Sequence, residues 1–383
     1  MRADNKTDEL NLKSFVDNVG VMKKKVLLIF GGRSSEHEVS LNSAKNIFKA
    51  IDRTKFDIVL AGVSKQGTWY LLTEQQLMAT ASVNDQDYHK NQCVALVSFL
   101  GKPMLIEMDS QARQGIDVAF PIIHGTNGED GTLQGLLKMA NVPFVGCGVL
   151  SSAVCMDKEF MKQALTAAGV ENSKYMVLHR TLKTSFADIT KNLGLPFFIK
   201  PANAGSSVGV HKVKSESDFA DRIKDSFLYD HKVIAEEFIQ GQELECSVKG
   251  LNANPQASVA GELIVKHEFY SYEAKYLDEN GAEIVIPARI GGDKMKELQA
   301  LAIKAYQASG CDGLARVDFF LQLDGKLIVN ELNTLPGFTK ISMYPKMWEA
   351  TGLKYSDLIT ELVNFAFEKF ELDSTKKQNY GNF

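Results

Sequence analysis

Residues 313–333 read Gly-Leu-Ala-Arg-Val-Asp-Phe-Phe-Leu-Gln-Leu-Asp-Gly-Lys-Leu-Ile-Val-Asn-Glu-Leu-Asn, two alternating stretches parted by Asp324-Gly325. A period of two marks strands with one buried face, and Asp-Gly between two such stretches is a strong hairpin signal. A two-residue turn fixes the register: Leu323 opposes Lys326, Asp318 opposes Glu331, and Arg316 opposes Asn333. Opposed side chains have Cβ atoms about 5 Å apart, where like charges destabilise the pair unless something neutralises them. Asp318, Glu331 and the amide oxygen of Asn333 are hard donors suited to magnesium, which takes one or two carboxylates and leaves its other positions to water and phosphate oxygens. The plainer reading is a solvated hairpin face, or one neutralised by Arg316 alone.

The rest of the chain surrounds this hairpin with α/β structure. A polar, aperiodic tail over 1–21 precedes a strand over 25–30, a Gly31-Gly32 turn, a helix carrying Leu41, Ala44, Ile47, Phe48 and Ile51, and a strand over 57–63. That alternation predicts a parallel α/β unit, and Ser35 with Glu38 predicts a capping box at the helix start. Strands over 94–98 and 117–122 and a helix over 132–140 follow, and Gly146-Cys-Gly148 reads as a boundary. Helices over 157–168, 185–193 and 215–227 interleave with strands over 196–200, 208–213 and 232–238. Longer strands, an irregular polar segment, a helix over 294–309, the hairpin and two closing helices complete the chain. The domain expectation is an N-terminal α/β domain over 22–146, a central α+β unit over 147–240 and a C-terminal unit over 241–383. Met22 is a candidate natural start.

Composition narrows the function classes. A length of 383 residues with 45% apolar content supports two or three domains. Apolar runs stay strand-sized, and the first residues lack a signal-peptide core, so the sequence reads as cytoplasmic. Five cysteines without C-x-x-C spacing indicate neither a disulfide framework nor a zinc site, and a net charge of -4 leaves no basic footprint for nucleic acid. The partners expected are small molecules.

Lys200-Pro-Ala-Asn-Ala-Gly-Ser-Ser-Val-Gly209 joins two predicted strands through small residues whose N–H groups can approach an anion. It is neither a Walker sequence nor a dinucleotide fingerprint, and alone it is equally a plain turn. In combination with Gly31-Gly-Arg-Ser-Ser-Glu-His-Glu-Val-Ser40, His124-Gly-Thr-Asn-Gly-Glu-Asp-Gly-Thr132, Tyr272-Glu-Ala-Lys-Tyr276, Arg316-Val-Asp318 and Asn330-Glu-Leu-Asn-Thr-Leu-Pro-Gly337, it resembles the ATP-grasp superfamily. Within that superfamily the chain is similar to the D-alanine--D-alanine ligase family from residue 25 onward.

The resemblance implies an ATP-grasp fold preceded by a Rossmann-like N-terminal α/β domain, a combined α/β and α+β class. It implies ATP with Lys158, Lys200, Ser207 and Lys275 on its phosphates, residues 236–239 (Glu236, Glu237, Phe238, Ile239) along the adenine and Glu243 on the ribose. It implies Mg2+ or Mn2+, two ions per site, on Asp318, Glu331 and Asn333. Glu36 and His124 attend the first D-alanine, Ser342 the carboxylate of the second, and Arg316 with the N–H of Gly337 forms an oxyanion hole. Glu36, Ser206 and Tyr276 form a hydrogen-bonded chain across the three domains, with a lid over 267–283. Apart from the family, that segment is a solvated loop rich in Tyr, Glu and Lys. Glu129 and His37 are left without a role.

The resemblance further implies a bacterial, cytoplasmic, dimeric enzyme that serves peptidoglycan precursor synthesis. Relatives that use D-lactate place histidine where this lid has tyrosine, which favours the amine nucleophile here. A ligase for a different amino-acid pair and an ATP-binding module without catalysis are the competing readings. Retention of every metal ligand and Arg316 argues against the non-catalytic module.

Overall fold

The computed structural model describes residues 23–182, 184–265 and 282–376. Strand β1 (Lys24–Gly31) pairs in parallel with β2 (Phe56–Val63), and β3 (Trp69–Leu72) extends that edge antiparallel. Every β1 residue from Val26 onward is buried, so the sheet needs cover on both faces. Helix α1 (His37–Ala50) lays Leu41, Ala44, Ile47 and Phe48 against Val26, Leu28 and Phe30. The short α2 (Glu74–Ala79) starts in a capping box from Thr73. The expected box at Ser35 does not form: Glu36 takes the cap position without a side-chain capping bond, and its carboxylate is engaged by Ser206 across the molecule.

Strands β4 (Val94–Phe99), β5 (Lys102–Glu107) and β6 (Arg113–Gly115) form a separate antiparallel sheet. With α3 (Thr132–Met139) it covers the second face of the first sheet, over Leu27 and Ile29. Strand β7 (Val118–Pro121) completes the first sheet on the free side of β1. Helices α4 (Val149–Met156) and α5 (Lys158–Ala167) lead to an antiparallel sheet of β8 (Tyr175–His179), β9 (Phe197–Pro201), β10 (His211–Val213) and β11 (Lys232–Glu237). Helices α6 (Phe186–Leu193) and α7 (Glu216–Tyr229), capped by Ser185 and Ser215, cover one of its faces.

A five-stranded antiparallel sheet follows, built from β12 (Gly241–Gly250), β13 (Gln256–Val265), β14 (Ala282–Val285), β15 (Gly313–Gln322) and β16 (Leu327–Asn333) in the order 14-13-12-15-16. Helices α8 (Gly292–Ala308) and α5 pack on one face over Leu244, Cys246, Ala315, Val317 and Phe319. Helix α9 (Met343–Ala350) packs on β12 and β13, where Ser247 Oγ donates to Tyr344 O at 3.0 Å. The last described helix, α10 (Tyr355–Ser374), returns to the first sheet and places Leu358, Ile359, Leu362 and Val363 in the core of Leu28, Phe30 and Phe120.

The hairpin corrects one expectation and keeps another. Gln322, not Leu323, faces Lys326 across a three-residue loop whose Gly325 has φ 85, and Leu323 stands 93% exposed at the tip. Glycine in the left-handed region permits this loop, the next most common hairpin connection. Phe319 therefore pairs with Val329, one step out of the expected register, and a bulge at Asn330 restores it. Asp318 faces Glu331 and Arg316 faces Asn333 because the two extra residues cancel. The bulge also changes parity, so Val329 and Leu332 enter the core while Asn330 and Glu331 line the opposite side.

Candidate active site

The loops at the end of the first sheet, the Gly-Ser loop after β9 and the open face of the five-stranded sheet bound a cleft of about 630 Å³. It brings together Glu36, His124, Lys158, Ser206, Glu243, Arg316, Asp318, Glu331, Asn333, Gly337 and Ser342. Lys200, Ser207, Glu236, Glu237, Phe238 and Ile239 are not among its lining residues, and Lys275 and Tyr276 lie outside the described residues.

One wall is a row of acids. Glu245 on β12 opposes Asp318 on β15, which opposes Glu331 on β16, so three carboxylates lie abreast. Arg316 forks onto Asp318 through two bonds of 2.7 Å, and its Nε lies 3.0 Å from Glu245 Oε2. Burial opposes the guanidinium charge, yet Asp318 and Glu245 outweigh it and hold the Arg316 pKa well above its ordinary value. As the side chains stand, no three His, Cys, Asp or Glu residues among those described are arranged to hold a metal. The expected set has two carboxylates and an amide, and Arg316 engages Asp318. The oxygen donors of Asp318, Glu331 and Asn333 are of the hard kind that suits a divalent cation. Glu245 was not anticipated, although Glu-x-Glu on a strand sends both acids to one side.

The facing wall carries Glu36 and Ser206, which join by a hydrogen bond from the serine hydroxyl. A Cβ on Gly125 would come within 2.6 Å of Glu36 Oε2, and one on Gly205 within 3.1 Å, so two glycines admit this carboxylate. Ser206 and Ser207 hold φ of 50 and 59, a strained backbone for non-glycine residues at a loop tip. His124 donates through Nδ1 to Leu335 O at 3.0 Å, lies 3.4 Å from Glu129 and meets Ser43 Oγ at 3.0 Å through Nε2. Burial works against its charged form, but Glu129 outweighs it and raises the pKa. His37, by contrast, bridges Gly32 O (2.8 Å) and Val83 N (3.0 Å) and is structural. Ser342 Oγ accepts from Thr339 N at 2.9 Å, and a Cβ on Gly337 would meet it at 2.6 Å, so the Gly337 turn is closed by that serine.

The lysines divide. Lys158 Nζ donates to Ala204 O at 2.6 Å at the cleft edge, tying α5 to the Gly-Ser loop. Lys200 instead pairs with Glu236, whose other carboxylate oxygen pairs with Lys162 and accepts from Ser173. Burial would raise the Glu236 pKa, yet the two ammonium groups hold it down to about 2. Glu237 accepts from Lys174 N at 2.7 Å, and the Phe238 ring lies 4.1 Å from Lys212 Nζ. Lys162 was not anticipated; its place four residues after Lys158 on one helix face was the available signal.

Two antiparallel sheets closing on a cleft of acids, lysines and one arginine define an ATP-grasp fold, and similar solved structures are ligases of that fold. Family profiles described as "D-ala D-ala ligase N-terminus" and "D-ala D-ala ligase C-terminus" match residues 25–147 and 164–364. The chain is 48% identical over 360 residues to D-alanine--D-alanine ligase A of Salmonella typhimurium, covering 93% of this chain and 99% of that protein. It is 49% identical over 362 residues to D-alanine--D-alanine ligase of Shouchella clausii, covering 93% and 98%. The D-alanine-D-alanine ligase of Coxiella burnetii superposes with a TM-score of 0.81 at 36% identity, covering 92% of this chain and 96% of that one. VanG D-Ala:D-Ser ligase of Enterococcus faecalis superposes at 0.80 and 36%, covering 90% and 100%. The chain belongs to the D-alanine--D-alanine ligase family.

Proposed function

We propose that this enzyme joins two D-alanine molecules with ATP, releasing ADP and phosphate, to supply D-alanyl-D-alanine for peptidoglycan. The observation that carries the reading is one cleft with the Arg316–acid row on one wall and the Glu36–Ser206 pair and His124 on the other. The carboxylate of the first D-alanine attacks the γ-phosphorus, the bond to the β-phosphate oxygen breaks, and ADP leaves. The deprotonated amine of the second then attacks the acyl carbon, and phosphate departs with its bonding pair.

Glu36 pairs with the first ammonium, and His124 faces the first carboxylate. Ser342 and the adjoining backbone receive the second carboxylate. Arg316 with the Gly337 N–H stabilises the oxyanion of the tetrahedral intermediate. Lys158, Lys200, Ser207 and Lys275 hold phosphates, residues 236–239 flank adenine, and Glu243 takes the ribose hydroxyls. Asp318, Glu331 and Asn333 would hold Mg2+ or Mn2+, which when bound neutralises charge on the transferring phosphoryl group. The lid expected over 267–283, with Tyr276, would exclude water from the acyl phosphate; its residues 267–281 lie outside those the structure describes.

We place the enzyme in the cytoplasm as a homodimer; no described helix is long and apolar enough to cross a membrane. The test is phosphate release with magnesium, ATP and D-alanine, beside L-alanine, D-alanine plus D-serine, and D-alanine plus D-lactate, with products weighed by mass spectrometry. Equal amounts of D-alanyl-D-alanine and phosphate are expected. A mixed product formed in preference to it, or no turnover, would overturn the reading.

A further inference from the structure

Lys162 has no part in the chemistry above, yet it is fully buried; burial pulls its ammonium pKa below the ordinary value and Glu236 works against that, so the charged form depends on this specific partner. Its partners are Glu236 and Ser173, the latter at 2.7 Å. Glu236 shares its carboxylate between Lys162 through one oxygen and Lys200 through the other. All three residues are about nine-tenths or more shielded from solvent. The group adjoins the cleft: Lys158, which lines it, lies one turn before Lys162 on α5, and its Nζ donates to Ala204 O in the loop that follows Lys200.

The charge balance of this group has a consequence for anion binding. A lone carboxylate beside Lys200 would cancel its charge in a low-dielectric site. With Lys162 on the other oxygen, the group keeps one net positive charge. We propose that Lys162 is a positioning residue for nucleotide binding: it occupies Glu236 and thereby leaves Lys200 oriented and electropositive toward the phosphates. This rests on the assignment of Lys200 to ATP phosphates made above.

The position also separates charge from packing. Lys162→Met keeps the length and apolar stem of the side chain and removes the ammonium. Lys162→Met combined with Glu236→Gln removes one charge of each sign and restores the net charge. A structural role predicts that both variants lose stability and that nucleotide affinity does not follow the charge.

The experiment uses the full chain and measures binding of ADP and of inorganic pyrophosphate, which lacks adenine, by titration calorimetry, together with KM for ATP and for D-alanine. K162M is expected to weaken both ligands about tenfold, the scale of one unit charge removed several ångströms away. KM for D-alanine should stay within about twofold, and the double variant should recover most of the pyrophosphate affinity. Unchanged affinity in K162M, or a double variant as weak as the single, would overturn the proposal. If K162M does not fold, K162Q, which keeps a donor for Ser173, serves in its place with the same two outcomes. A wild-type protein that binds neither ligand would instead overturn the functional reading on which this inference rests.

Discussion

Arg316→Met should unbalance the acid row. The guanidinium makes two 2.7 Å bonds to Asp318 and lies 3.0 Å from Glu245, while its side chain is only 18% exposed. Removing it takes the guanidinium from the row in which Glu245, Asp318 and Glu331 lie abreast. Removing one partner of a buried ion pair typically destabilises by about 3–5 kcal/mol. Unfolding entropy of about 2 cal/mol/K per residue, taken over the 383 residues, converts this into a fall in Tm of roughly 4–6 °C. Magnesium should then stabilise R316M more than wild type, because it no longer has to displace a bidentate arginine from Asp318. At about 100 times its Kd, a bound ion contributes about 2.7 kcal/mol, enough to recover half the loss or more. Circular-dichroism melts in EDTA and in excess magnesium measure both effects. A wild-type Tm for R316M in EDTA, or a magnesium shift no larger than that of wild type, would refute this account of the row.

Three further outcomes are expected. Glu236 has a folded pKa of about 2 against an ordinary 4.5, so its ionic contribution is full above about pH 4.5 and is lost as pH falls toward 2. Glu236→Gln should flatten the acid limb of a curve of unfolding free energy against pH by a few kcal/mol, and an unaltered limb would contradict the pairing. His124 has a raised pKa, so its charged contribution is complete below its ordinary value of 6.5 and fades as pH rises through the folded value. In Glu129→Gln the ring should deprotonate at lower pH by histidine NMR, and an unmoved titration would count against the Glu129 contact. His37→Ala leaves Gly32 O and Val83 N without their side-chain partner and should destabilise by about 2–4 kcal/mol in urea melts, with kcat/KM of the folded enzyme within about threefold. A large loss of kcat/KM with unchanged stability would assign His37 to the chemistry.

The site was legible in the sequence where local pattern and facing strands carried it. Asp318, Glu331, Arg316 and Asn333 follow from alternation together with a two-residue turn, yet their register survives only because the loop and the bulge each add one residue. Neither addition is visible in the residue types, since Asp-Gly suits two- and three-residue loops alike. Glu245 depends on which strand lies beside β15, a long-range choice that alternation does not specify. The partners of Glu236 likewise come from α5 and β9, far apart in sequence and joined only by burial. The capping box at Ser35 failed for a related reason: the helix starts one residue later, with Glu36 at the cap, and Lys65 engages Glu38.

Helix α10 bears on the order in which the chain can mature. The first described strand, β1, finds part of its final cover only in residues 355–374. Until those residues emerge, Leu28, Phe30 and Phe120 lack the side chains of Leu358, Ile359, Leu362 and Val363. Domains often fold in sequence from the N-terminus during synthesis. Here the opening sheet gains its full cover only once residues 355–374 emerge, whereas all four strands β8–β11 are complete by Glu237.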